Sequence, residues 1–247
     1  MTNSFAIVIP ARLNSTRLPK KALIDIAGKT MLHRVFEKAQ LANLGDVLIA
    51  CDGEEIANEA RKINASFIIT DPNLPSGTDR VFSALEKAKK NYRYIINLQG
   101  DLPNVEPSVI KSVANLISND QCDIATVASK IKDSNEITNP NVVKIALNSN
   151  NRALYFSRSA IPYSKNSFDE YFHHIGIYGY SYLALKKFVN LPQSNLEKRE
   201  SLEQLRALEN DMIISVAIVD SHPLSVDTTE DLQIIKKIIL DNEKKGY

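Results

Sequence analysis

Two sets of residues in this sequence have the types and spacing to do chemistry: a group of cations near the start and two distant carboxylates. Arg12, Arg17, Lys20 and Lys21 share one short loop directly after the apolar run at 5–9. Packed together they repel unless an anion joins them, and a polyanion such as a nucleoside triphosphate meets that need. The same turn holds Ser15 and Thr16, and its backbone N–H groups add donors. Two charges would suit a solvated basic loop. Four, stiffened by Pro10 and Pro19, favour binding.

Asp101 ends the run Asn97-Leu98-Gln99-Gly100-Asp101. A carboxylate at the carboxyl end of a strand suits Mg²⁺, which takes one or two protein carboxylates plus phosphate oxygens. Equally, it suits an Asp accepting N–H bonds within its own turn. Asp227, in Val226-Asp227-Thr228-Thr229-Glu230-Asp231, is a candidate partner, although Asp227 or Thr228 would also serve to cap a following helix. In Ser76-Gly77-Thr78-Asp79-Arg80, Thr78 suits a helix cap and Gly77 a close backbone approach, so a capped turn explains half of that motif. Gly28-Lys29-Thr30 has the ending of a phosphate-binding loop, but position 23 is Leu where that motif needs glycine. A turn followed by a helix cap is the plainer account.

These residues need elements to position them. The pattern predicts strands at 5–9, 46–50, 66–69 and 94–98, alternating with helices at 31–42, 53–62, after Thr78 and from about Pro107. That rhythm predicts a parallel sheet covered on both faces, with ligands at the carboxyl ends of its strands. From 123 the rhythm changes. Strands are expected at 123–129, 142–147, 153–156, His173 to Tyr180 and 213–218, with helices at 181–189, 197–209 and 229–241. The expectation is one α/β domain over 1–247 with an elaborated second half.

Composition narrows the classes. Hydrophobic residues at 44% and charged residues at 24% suit a soluble globular protein, and a net charge of +1 gives no general argument for nucleic-acid binding. No run approaches the roughly 18 apolar residues that span a bilayer, and the N-terminus lacks the pattern of a signal peptide. Cys51 and Cys122, far apart, suit two reduced, buried thiols of a cytoplasmic protein better than a disulfide. The four histidines make no zinc pattern in the sequence.

A series of motifs then occurs in order: Ile-Pro-Ala-Arg-x-x-Ser-Thr-Arg-Leu-Pro-x-Lys, Ser-Gly-Thr-Asp-Arg, Gln-Gly-Asp-x-Pro, Asn-Pro-Asn-x-Val-Lys, Tyr-Phe-Ser-Arg-x-x-Ile-Pro, His-x-Gly-Ile-Tyr-Gly-Tyr, Leu-Glu-Gln-Leu-Arg and Val-Asp-Thr-x-Glu-Asp-Leu. From about Phe5 to Leu232 the chain resembles the 3-deoxy-manno-octulosonate (Kdo) cytidylyltransferases. The resemblance implies a Rossmann-like nucleotidyltransferase fold, the substrates CTP and Kdo, Mg²⁺, a role in lipopolysaccharide synthesis and a homodimer. It implies that Arg12 and Lys21 hold the triphosphate with Arg17 nearby, and that Ser76, Gly77 and Arg80 border cytosine and ribose with Gln99. It implies that Asp101 and Asp227 ligate Mg²⁺, and that Arg158, His174, Tyr178, Glu203 and Gln204 line the sugar pocket.

Read without the resemblance, most of that second group is structural. Glu203 and Gln204 suit a solvated helix face, and adjacent His173 and His174 point to opposite faces of a strand. The chain departs from the family pattern at Lys20 for glycine, Leu102 for glutamate and Tyr163 for tryptophan. A related acid sugar such as 8-amino-Kdo or a sialic acid is the near alternative. A non-catalytic nucleotide-binding protein is the distant one.

Overall fold

Strand β1 (Phe5–Ala11) buries Ala6 to Ile9 completely, as a strand covered on both faces must. The computed structural model describes residues 4–13, 18–119, 121–165 and 170–244. After β1 come a 3-10 turn (Lys21–Leu23), the hairpin β2 (Asp25–Ile26) and β3 (Lys29–Thr30), and α1 (Met31–Ala42). Then follow β4 (Gly45–Cys51), α2 (Glu54–Lys62), β5 (Ser66–Ile69), α3 (Gly77–Ala88), β6 (Tyr94–Leu98) and α4 (Pro107–Ser118). The later elements are β7 (Ile124–Lys130), α5 (Asn135–Thr138), β8 (Lys144–Leu147), β9 (Ala153–Ser157), β10 (Phe172–Ser181), α6 (Tyr182–Val189), α7 (Asn195–Glu200), α8 (Leu205–Leu208), β11 (Ile214–Val219) and α9 (Thr229–Lys244).

The chain divides into two compact units, Met1–Lys111 with Pro223–Tyr247, and Ser112–His222. In the first, β1 pairs in parallel with β4 on one side and β6 on the other, and β4 pairs in parallel with β5. The order β5-β4-β1-β6 reverses direction at β1, so the carboxyl ends of β1 and β6 form the switch point where α/β sheets bind ligands. In the second unit β11 pairs in parallel with β7, whereas β7–β10, β10–β8 and β8–β9 are antiparallel. The expected parallel α/β architecture with an elaborated later part is therefore what the chain adopts.

Some local expectations change. The helix expected over 197–209 is broken: Ser201 turns left-handed (φ 54°) and ends α7, which leaves Glu203 and Gln204 in the turn before α8. Thr78 does not cap α3. Ser76 does, its Oγ accepting the Asp79 N–H at 3.1 Å and donating to Asp79 Oδ2 at 2.7 Å. The phosphate-loop look-alike is structural, as read: Ala27 and Gly28 take positive φ in the hairpin turn, and Thr30 caps α1 by accepting the His33 N–H. Both cysteines are free thiols, Cys51 buried as expected and Cys122 only half-buried.

Candidate active site

Three segments of the first unit meet at its switch point. The loop after β1 leaves Arg12 exposed and anchors itself through Leu13, whose N–H donates to both carboxylate oxygens of Asp52 at 3.1 and 3.2 Å. Its ends close where the Lys20 N–H meets the Leu13 carbonyl at 3.1 Å. Arg17, with Ser15 and Thr16, lies outside the described residues. Lys20 takes the left-handed conformation (φ 54°) that glycine adopts most easily and pairs with Glu55 at 2.6 Å, in solvent.

Lys21 opens the 3-10 turn and points the other way. Its Nζ donates to Asp101 Oδ2 at 2.7 Å and to Asp227 Oδ1 at 2.9 Å. Burial, the largest single influence, pulls the Lys21 pKa down, but attraction and hydrogen bonds from Asp101 and Asp227 together outweigh it and hold the pKa above 10.5. Lys21 is therefore a fixed positive charge between two carboxylates.

Packing explains why residues so far apart in sequence converge. Leu18, Ile26 and Met31 form one buried cluster with Val226, Ile235 and Ile239, clamping the start of α9 to the segment that bears Lys21. The Val226 N–H donates to the Asp101 carbonyl at 3.0 Å. Thr228 caps α9 by accepting the Asp231 N–H at 3.2 Å, while Asp231 accepts the N–H groups of Asp227 and Thr228. Capping thus falls to Thr228 and Asp231, and the Asp227 carboxylate faces Lys21. Asp101 likewise directs its carboxylate at Lys21 and not into its own turn. Two carboxylate oxygens converging on one cationic head are a donor set that fits Mg²⁺.

Behind this pair, Gly100 sits so close to β1 that an added Cβ would lie 3.0 Å from the Pro10 carbonyl oxygen. Gly77 is less constrained: an added Cβ would meet Pro10 at 3.5 Å and Gln99 Oε1 at 3.7 Å, ordinary contacts, so the chain's own packing does not demand glycine there. Gln99 donates to Asn97 Oδ1 at 3.1 Å, and Asn97, fully buried in β6, donates to the Thr78 hydroxyl. Arg80 is buried and donates to Thr70 Oγ1 and the Asp71 carbonyl. Burial lowers its pKa first; Asp52 opposes that shift and Arg12 adds to it, so the guanidinium feels the charge of the opening loop. Asp52 and Asn97 were missed in the sequence. Both were detectable, one at the end of a strand and the other a polar residue inside an apolar one.

The second unit gathers the remaining candidates. His174 is buried, with Nε2 3.0 Å from Thr126 Oγ1 and its ring edge-on to Phe156. Burial and His173 push its pKa down to about 3, so it is neutral. The Thr126 hydroxyl also contacts the Ile177 carbonyl at 2.8 Å, and it has one proton to give. If that proton serves the carbonyl, the His174 Nε2–H donates to Thr126. Tyr178 lies 5.5 Å from His174 between ring centres, and its pKa is driven up by burial and then by Glu203. Gln204 is buried beside Glu203 in the turn.

Arg158 is held by Glu200 and its neighbours: Nε donates to the Glu200 carbonyl at 2.9 Å, Nη1 to the Pro140 carbonyl at 2.9 Å and Nη2 to the Ser201 carbonyl at 3.4 Å. Those contacts use three of its five N–H donors. Glu197 and Arg206 form a buried two-point ion pair (2.6 and 2.8 Å) that brackets the segment carrying Glu203 and Gln204.

The chain is also similar to known proteins over nearly its whole length. Residues 6–214 match a family model described as Cytidylyltransferase. The chain is 46% identical over 245 residues to the 3-deoxy-manno-octulosonate cytidylyltransferase of Bartonella bacilliformis, covering 97% of this chain and 100% of that protein. It is 45% identical over 243 residues to the protein of the same name from Rickettsia prowazekii, covering 98% and 97%. Among solved structures, CMP:2-keto-3-deoxy-manno-octonic acid synthetase complexed with CTP superposes with a TM-score of 0.91 at 35% identity, covering 97% of this chain and 99% of that one.

Proposed function

This chain belongs to the 3-deoxy-manno-octulosonate cytidylyltransferase family, and we propose how its residues carry out the reaction CTP + Kdo → CMP-Kdo + pyrophosphate. The observation that carries the assignment of roles is the convergence of Lys21 on Asp101 and Asp227 at the switch point of the sheet.

Arg12 and Lys21, with Arg17, hold the triphosphate. Lys21 spends two of its three N–H donors on the carboxylates, and the third is available to a phosphate oxygen. Ser76, Gly77, Arg80 and Gln99 border cytosine and ribose. Arg80 does so as a buried positive support already fixed by Thr70 and Asp71.

Asp101 and Asp227 hold Mg²⁺, which when bound lowers the pKa of the attacking hydroxyl and screens the charge of the α-phosphate. The anomeric 2-hydroxyl of Kdo attacks the α-phosphorus in line. An oxygen–phosphorus bond forms, the bond to the β-phosphate breaks, the hydroxyl proton passes to solvent water, and Lys21 offsets charge on the leaving pyrophosphate. Such chemistry rests on positioning and charge neutralisation.

For the sugar, Arg158 offers its two remaining N–H donors to the Kdo carboxylate, and Glu203 and Gln204 take its hydroxyl groups. His174 and Tyr178, both neutral, form the wall. The product serves lipopolysaccharide synthesis in the cytoplasm. Among the described residues no helix is long and apolar enough to cross a membrane. A second copy of the chain is the expected partner, and Leu154 and Tyr163, 60% and 91% exposed, supply apolar surface in the second unit.

Incubation with CTP, Mg²⁺ and each of Kdo, 8-amino-Kdo and a sialic acid tests the reading. Pyrophosphate release with Kdo is expected. Release only with another sugar would replace the acceptor and keep the chemistry.

A further inference from the structure

His173 and His174 leave β10 on opposite faces. His174 joins Thr126 and Phe156, while His173 meets His222, their ring centres 4.8 Å apart. We propose that Glu136, His173 and His222 form a binding site for a divalent transition metal of the zinc class, separate from the carboxylate pair at Asp101 and Asp227.

One ligand atom from each of the three residues lies within 4.8 Å of the others. His173 Nδ1 stands 3.3 Å from His222 Nε2, and His222 Nε2 stands 3.3 Å from Glu136 Oε1. Both separations are longer than a well-formed hydrogen bond. They match the roughly 3.4 Å expected between two donors each about 2.1 Å from a shared tetrahedral ion. The His222 Nε2 also carries at most one proton, while two acceptor-capable atoms face it at equal distance. An ion accepting a lone pair from all three removes that conflict.

The surroundings are built to hold the rings. His222 Nδ1 lies 3.0 Å from the hydroxyl of Ser129, which is buried on β7 directly across the sheet from His173. A hydrogen bond on the far ring nitrogen sets the tautomer and aims Nε2 at the metal, as outer partners of histidine ligands do. Glu136 Oε2 is buried and has no hydrogen-bond partner among the described residues, so the carboxylate carries a second donor atom. Lys144, paired with His173 in register, spends its ammonium on the carbonyls of Asn139, Val142 and Arg158.

Two imidazoles and one carboxylate select zinc, cobalt or nickel over magnesium or calcium, and three protein ligands leave one position for water. Glu136 belongs to α5, His173 to the start of β10 and His222 to the segment after β11, so one ion staples three parts of the second unit. The signal is weak in sequence because the three residues are widely separated and only the fold gathers them.

Full-length, tag-free protein titrated with Co²⁺ in the absence of Mg²⁺ tests the site. Visible d–d bands should saturate at one equivalent, and Zn²⁺ should abolish them by displacement. His173→Gln and His222→Gln, each verified as folded by circular dichroism, should weaken Co²⁺ binding by about tenfold or more. Glu136→Gln provides a third variant should either histidine variant fail to fold. Asp101→Asn should bind Co²⁺ at the same site unchanged. Absence of the bands in the unmodified protein, their persistence in the folded ligand variants, or their loss in Asp101→Asn would overturn the proposal.

Discussion

The backbone N–H of Val226 donates to the carbonyl oxygen of Asp101 at 3.0 Å. This single bond sets the segment before α9 in register with the turn after β6, so that the next side chain, Asp227, reaches the same ammonium as Asp101. Val226 is fully buried in the cluster with Leu18 and Met31, so the register is held by packing as well as by the bond.

Replacing either carboxylate should therefore remove chemistry and leave the fold. Asp101→Asn and Asp227→Asn should each lower kcat by about 10²- to 10³-fold, the scale of losing one preorganised charge at a reacting centre. Circular dichroism and CTP binding by calorimetry should change little. Undiminished turnover at saturating Mg²⁺ would remove the assigned roles.

Lys21→Met takes the cation from between two carboxylates. The protein should lose about 1–2 kcal/mol of stability, or roughly 2–8 °C in Tm, with kcat reduced as well. Mg²⁺ should raise the Tm of the variant more than that of the parent chain, because the ion then meets no competing ammonium. Equal Mg²⁺ shifts in differential scanning calorimetry would count against the two carboxylates acting as one cation site.

Legibility in the sequence followed how local each cause was. Helix α1 and strands β5 and β6 were readable to the residue because their apolar pattern and flanking turns are self-contained. The Asp101–Asp227 meeting was only a candidate, because the cluster around Val226 that brings it about joins opposite ends of the chain. Ser76 was overlooked as the cap of α3 although Ser-x-x-Asp carries the capping-box spacing. The break at Ser201 was invisible, since a serine carries no sign that it will take a left-handed conformation. The support of Arg158 by backbone carbonyls was equally hidden, because carbonyls have no sequence signature.

If Arg158 forks onto the sugar carboxylate as proposed, Arg158→Ala should raise KM for Kdo about tenfold or more and leave KM for CTP nearly unchanged. Steady-state kinetics with each substrate varied in turn reads the split. Equal increases in both constants would place Arg158 outside the sugar site.

The Glu197–Arg206 pair gives an acid limb to stability. Burial, its largest influence, pushes the Glu197 pKa up, yet the Arg206 and Ser194 hydrogen bonds outweigh it and hold the folded pKa below the usual 4.5. A depressed carboxylate contributes stability that is present above pH 4.5 and lost as pH falls through the folded pKa. Glu197→Gln should be less stable at neutral pH and should lose less on acidification, measured by urea unfolding from pH 7 to pH 3. Identical pH slopes for parent and variant would show that the pair does not govern this limb.

Cytidylyl transfer to Kdo at the Lys21–Asp101–Asp227 centre would need both the Asp101 carboxylate and a divalent ion. The most direct measurement is pyrophosphate release and CMP-Kdo formation with CTP, Kdo and Mg²⁺, compared between the parent chain and Asp101→Asn and repeated with EDTA. Equimolar pyrophosphate and CMP-Kdo from the parent, with near-complete loss in the variant and with EDTA, is the predicted result. No CMP-Kdo from the parent, or the same rate from Asp101→Asn, would contradict it.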